Sequence, residues 1–142
     1  MDIYKTIILA VDGSDVSRNA LRHAVELTKQ NNGTLIAVHV IPPIDVMDIE
    51  TFKPESLIKG LKEEGKKILS EVRELAAGED VKVQTTIEEG IPFEVICEAA
   101  RNANADLIVM GSHGHTGIGK VFIGSVTERV ISRAHCPVLV VK

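Results

Sequence analysis

Residues 106–128 read Asp-Leu-Ile-Val-Met-Gly-Ser-His-Gly-His-Thr-Gly-Ile-Gly-Lys-Val-Phe-Ile-Gly-Ser-Val-Thr-Glu, and this stretch decides the fold. Asp106 to Met110 is a short apolar run of buried-strand type that stops at Gly111. Ser125-Val-Thr-Glu128 has the Ser-x-x-Glu form of a capping box and opens an amphipathic segment. The order is strand, glycine-rich loop, helix start. Glycines let a backbone come close to a ligand, and the free N–H groups of a helix start favour anions, so the stretch has the makings of a phosphate site. Its plainer reading is a loose connection leading into a well-capped helix.

The same alternation extends through the rest of the chain. Ile7-Ile-Leu-Ala-Val11 is a strand ended by the turn signal Asp12-Gly13, and Ser14 suits the N-cap of a helix whose apolar face holds Val16, Ala20, Leu21, Ala24, Val25 and Leu27. Asn31-Asn32-Gly33 closes that helix. Leu35 to Ile41 is the second strand, stopped by Pro42-Pro43, and Ile44 to Lys53 has no clear period and reads as a loop. A long helix is predicted after Pro54, with Gly60 and Gly65 weakening it by roughly 1 kcal/mol each relative to Ala. Val81 to Ile87 alternates, as a strand with one exposed face at a sheet edge would. Ile91-Pro92 starts a third helix, since proline is acceptable in a first turn. A fourth helix runs from about Ser125 to Ala134, and Val138 to Val141 forms the last strand. Strict β-α alternation with continuous apolar strands predicts one α/β domain over 1–142: an open parallel five-stranded sheet with helices on both faces. Ligands of such sheets sit beyond the carboxyl ends of the strands, which makes the loops after Val11, Ile41 and Met110 the candidate walls.

Composition narrows the function classes. The chain has 142 residues, 44% hydrophobic and 25% charged, with a formal net charge of -4, 3% aromatics and no Trp. No basic stripe is visible, and a general nucleic-acid binder is disfavoured. Cys97 and Cys136 do not make a disulfide framework. The apolar runs are strand-length, so neither a signal peptide nor a membrane span fits and a cytoplasmic location is expected.

Gly114-His-Thr-Gly-Ile-Gly119-Lys120 matches Gly-x4-Gly-Lys, but Val121 stands where a P-loop needs the hydroxyl that holds Mg²⁺, and the P-loop reading fails. Asp12 is either a ligand carboxylate at a strand end or a turn residue of Asp-Gly-Ser-Asp. The acidic pair, third-strand acceptor and lysine of a receiver domain are missing. His113 and His115 could begin a zinc site, but no third ligand has workable spacing, and they suit donation to phosphate better. His39 reads as a partly buried core histidine and Cys97 as core packing. No Ser, His and Asp are placed for nucleophilic catalysis, so no catalytic residue is assigned.

At Gly111-x2-Gly114-x9-Gly124-Ser125 the chain resembles the ATP-binding branch of the universal stress protein family. The resemblance spans the whole length: Ile-Leu-Ala-Val-Asp-Gly-Ser at the start, His39-Val40 in the second strand, Ala-Asp-Leu-Ile-Val-Met-Gly-Ser-His-Gly, and the closing Cys-Pro-Val-Leu-Val-Val. It implies strand order 3-2-1-4-5, a Rossmann-like fold, and a two-fold homodimer through the last strand. It also implies ATP, AMP or ADP as ligand, with Mg²⁺ or Mn²⁺ carried on the phosphates. Ala10, Asp12 and Val40 would line the adenine and ribose pocket, with Met110, Gly111 and Gly114 as its floor. Ser112, His113, His115 and Thr116 would lie along the loop, and Gly124, Ser125, Val126 and Thr127 would hold the phosphates. The roles of Gly117, Gly119 and Lys120 stay open. The function so implied is a nucleotide-dependent switch or scaffold in stress response, acting on an unknown protein partner. The alternatives are a slow ATPase or nucleotidyl-transfer enzyme, and a protective dimer independent of nucleotide.

Overall fold

The computed structural model describes residues 2–43, 54–114 and 123–142, with the backbone alone at Pro54. Its elements run β1 (Thr6–Ala10), α1 (Asp15–Gln30), β2 (Thr34–Ile41), α2 (Pro54–Gly78), β3 (Lys82–Glu89), α3 (Pro92–Asn102), β4 (Leu107–Gly111), α4 (Ser125–Arg133) and β5 (Val138–Val141). The five strands form one parallel sheet in the order β3-β2-β1-β4-β5. The expected alternation and strand order are both present. The segment expected to be a loop, Ile44 to Lys53, lies outside the described residues.

The period-two alternation of a strand sorts the sheet's side chains into two cores. Ile7, Leu9, Leu35, Ala37 and Val109 face the layer of α1 and α2, where Ala20, Leu21, Ala24, Leu69 and Val72 meet them. Ile8, Val38, Ile108 and Met110 face the layer of α3 and α4, against Ile96, Cys97, Ala100 and Val130. Ile7, Ile8 and Leu9 are fully buried, each contributing about 1.5–3 kcal/mol of transfer free energy. β1 is therefore the spine of both cores. The chain leaves it toward β2 on one side, and β4 joins it on the other, so strand order reverses between β1 and β4. A crevice opens at their carboxyl ends, as such a reversal requires.

Local chemistry sets the boundaries, with two departures from the sequence reading. Ser14 caps α1 as expected, its hydroxyl accepting from the Ser17 N–H at 3.2 Å. Ser125 does not cap α4. The N-cap is Gly124, in extended conformation and with no side-chain cap bond, and Ser125 is the first helical residue. The frame shifts because the Gly124 N–H is drawn to the Ser112 carbonyl at 2.7 Å, which pins the incoming chain one residue earlier. Gly65, expected only to weaken α2, is buried. A Cβ there would stand 2.7 Å from His39 Cδ2 and 3.2 Å from Ile87 Cδ1, whereas one at Gly60 would meet nothing. Gly65 lets α2 lie directly on β2 and β3.

Candidate functional site

A cavity of about 670 Å³ occupies the crevice beyond β1 and β4, within the range of pockets that hold small organic ligands. Its walls come from Ala10, Val11, Asp12 and Ser17, from Val38, Val40 and Pro42, and from Pro92 and Ile96. Met110, Gly111, His113, Gly114 and Ile123 to Glu128 complete them. One end is apolar, made by Val38, Val40, Pro42, Pro92, Ile96 and Met110. The other end is backbone: the start of α4 and the glycines after β4.

The three glycines of the Gly-x2-Gly-x9-Gly pattern each permit a close approach that a Cβ would block. At Gly111 it would meet Val16 Cγ1 at 2.7 Å, at Gly114 it would meet Asp12 Oδ2 at 2.7 Å, and at Gly124 it would meet the His113 Cα at 3.2 Å. Gly111 therefore seats α1 on the end of β4, Gly114 brings the loop against the Asp12 carboxylate, and Gly124 closes the loop on itself. Two further bonds fasten this end. The Ser112 N–H donates to the Val141 carbonyl at 2.8 Å, and the Thr127 hydroxyl donates to the Gly111 carbonyl at 2.8 Å.

The anion-binding capacity of the site follows from α4. Its first intrahelical bond runs from the Glu128 N–H to the Gly124 carbonyl at 2.9 Å. The N–H groups of Ser125, Val126 and Thr127 come before it, at the positive end of the helix dipole and on the cavity wall. Asp12 faces this end from the turn after β1. Its Oδ1 accepts from the Ser14 N–H at 2.9 Å, and its own N–H donates to Ser17 Oγ at 3.1 Å. It is thus a turn residue that also lines the cavity. His39 supports the same turn from behind. Its Nδ1 lies 2.8 Å from the Val11 carbonyl, which can only accept, so Nδ1 carries the proton and donates.

Most of the residues read from sequence come together here. Ala10, Asp12, Val40, Met110, Gly111, His113, Gly114, Gly124, Ser125, Val126 and Thr127 all line the cavity. Ser112 does not: it is buried, its Oγ lies 3.1 Å from His113 Nδ1, and its backbone locks the loop. The Thr127 hydroxyl is committed to Gly111, which leaves its N–H as the group nearest a ligand's use. His115, Thr116, Gly117, Gly119 and Lys120 lie outside the described residues. Sequence reading missed Ser17, Val38, Pro42, Pro92, Ile96, Ile123 and Glu128, whose shared wall depends on sheet order. Pro42 and Pro92, each following a strand's end, were the available signal.

Among the described residues no three His, Cys, Asp or Glu side chains gather as a metal site. Burial pushes the Cys97 and Cys136 thiols up, so neither is a ready nucleophile at neutral pH. No described helix is long and apolar enough to cross a membrane.

The family model of universal stress proteins matches residues 3–142. The chain belongs to the universal stress protein family. Universal stress protein MJ0531 of Methanocaldococcus jannaschii is 42% identical over 142 residues, which cover 99% of this chain and 84% of that protein. Among solved structures, protein MJ0577 of the same organism superposes with a TM-score of 0.86 at 35% identity, over 99% of this chain and 96% of that one. A universal stress protein from Archaeoglobus fulgidus in complex with dAMP superposes with a TM-score of 0.72 at 26% identity, over 99% of both chains.

Proposed function

We propose that this universal stress protein binds ATP in the cavity beyond β1 and β4, and that occupancy changes the surface it presents to a protein partner during stress response. The carrying observation is the cavity's polarity. An apolar slot between Val38, Val40, Pro42 and Ile96 runs directly into the N–H groups that open α4. A purine is flat and apolar-faced, and its phosphates are anionic, so one adenine nucleotide satisfies both ends. The dAMP complex of the Archaeoglobus fulgidus relative supports the adenine class. Asp12, between the two ends, is positioned for the sugar or for a divalent ion. The carboxylates of the described wall, Asp12 and Glu128, fit Mg²⁺ or Mn²⁺ brought in on the phosphates better than an ion held by protein alone.

In this reading the nucleotide is a signal and turns over slowly, in the cytoplasm, within a homodimer joined along β5. β5 occupies one edge of the sheet, and an open apolar edge invites pairing with its own copy. ATP affinity is expected in the micromolar range, roughly -8 kcal/mol. Gly124→Val tests the site. Its branched side chain presses on the His113 backbone at the entry to α4. Calorimetry should show ATP binding lost while the circular dichroism spectrum stays native. Unchanged affinity in a folded variant would refute the site.

A further inference from the structure

Phe93, in the first turn of α3, lies against two guanidinium groups of α4. Arg129 Cζ stands 5.3 Å from the ring centroid and Arg133 Cζ 5.8 Å, both within cation–π range. These arginines are one helical turn apart, and like charges at that spacing repel. Arg101 adds a third cation on the α3 stripe that runs Phe93, Cys97, Arg101, and the fields of Arg101 and Arg133 both reach the Cys97 thiol. All three arginines are exposed.

The three share with Arg22, Arg73 and several lysines the lack of an ion pair among the described residues, and what sets Arg129 and Arg133 apart is the Phe93 ring they both approach. Among the described residues the ion pairs are made by Lys5, Arg18, Lys29, Lys62 and Lys66, all just before β1 or on α1 and α2. No described carboxylate pairs with Arg101, Arg129 or Arg133, although Glu94 and Glu98 stand on the neighbouring stripe of α3. A chain of formal net charge -4 thus carries a group of exposed guanidinium charges without ion-pair partners among the described residues, assembled from two helices and invisible as a stripe in the sequence. The charges are spread along both helices with an aromatic ring between them, which suits an extended anionic chain better than a compact ion.

We propose that Arg129 and Arg133, set over Phe93, together with Arg101 two turns further along α3, form a docking face for an acidic segment of a partner protein. The helices that carry this face also carry the cavity wall: Pro92 and Ile96 on α3, Ser125 and Val126 on α4. A ligand wedged between their first turns changes how α3 sits against α4, and with it the spacing of the guanidinium groups. Docking stands on the charge geometry alone, and its coupling to occupancy rests on the nucleotide reading above.

The test is fluorescence anisotropy with a labelled decapeptide alternating Glu and Asp, at low and physiological salt. The intact protein should bind it despite its net negative charge. Arg129→Gln with Arg133→Gln should weaken binding at least tenfold, and Arg129→Lys with Arg133→Lys should restore part of it. Lys66→Gln with Lys67→Gln makes the same change in net charge on α2 and should leave it unaltered. Equal binding by the Arg→Gln pair, equal loss in the Lys→Gln pair, or no binding of the peptide at 1 mM would overturn the docking face. Tighter binding of a single-stranded DNA decamer at the same residues would overturn the acidic-protein assignment. ATP titrated into the same assay should shift the peptide affinity at least threefold. Calorimetry of ATP on the Arg→Gln pair should be unchanged, so a protein that binds ATP without that shift refutes the coupling alone, and one that binds no ATP refutes the nucleotide reading alone.

Discussion

Replacing Gly60 and Gly65 by alanine, one at a time, makes the same chemical change five residues apart on α2 and should have different effects. Alanine in a helix interior is favoured over glycine by roughly 1 kcal/mol. At Gly60 the new Cβ meets nothing within 4 Å, so the whole gain should appear, raising the melting temperature by about 3 °C for a domain of this size. At Gly65 it lands 2.7 Å from His39 Cδ2 and 3.3 Å from its Nε2. The ring cannot swing aside without giving up its bond to the Val11 carbonyl. Overpacking of this kind costs about 1–3 kcal/mol, so after the propensity gain Gly65→Ala should come out between neutral and about 2 kcal/mol less stable. The two variants should then differ by about 1–3 kcal/mol, since propensity cancels between them. Urea unfolding with an unchanged m-value measures this directly. Because Val11 adjoins Asp12, Gly65→Ala should also loosen the cavity turn and weaken ATP binding, while Gly60→Ala leaves it alone. Equal stabilisation by both substitutions would refute the packing argument and the support of the site by His39.

Two further outcomes follow from the same geometry. Asp12→Ala should weaken ATP or its metal complex several-fold in calorimetry, with any residual hydrolysis little changed and turnover below about 1 s⁻¹, the lower end of ordinary enzymes. A faster turnover that vanished in the variant would make Asp12 catalytic and the nucleotide a substrate. Val140→Pro removes a backbone donor from the edge strand β5, so light scattering should show a monomer or an aggregate where the parent is a dimer. A parent that is monomeric at tens of micromolar would refute that interface.

What could be read from sequence divides along the range of the interactions. Strands and helices were legible because burial on a strand or helix face leaves a local period, and the Ser14 cap was legible because its acceptor and donor are three residues apart. The glycines of the 111–124 loop could be read as points of close approach, but their neighbours, Val16, Asp12 and His113, could not be named without the β1–β4 junction. The supposed Ser125 cap failed because a bond between Gly124 and Ser112 overrides the local box pattern. Gly65 was read as a helix defect because His39, which it accommodates, lies 26 positions away and on another element. Strand order came from family resemblance, since a period shows that a strand is buried and not which strand lies beside it. The arginine face stayed hidden for the same reason: Phe93 and Arg129 come together only when α3 and α4 share one side of the sheet.

Titration of the intact protein with ATP in the presence of Mg²⁺, followed by calorimetry, tests the central claim most directly. One site per chain with a micromolar dissociation constant, lost in Gly124→Val, is the expected result. The absence of saturable binding at millimolar ATP by a folded, nucleotide-free preparation would contradict it.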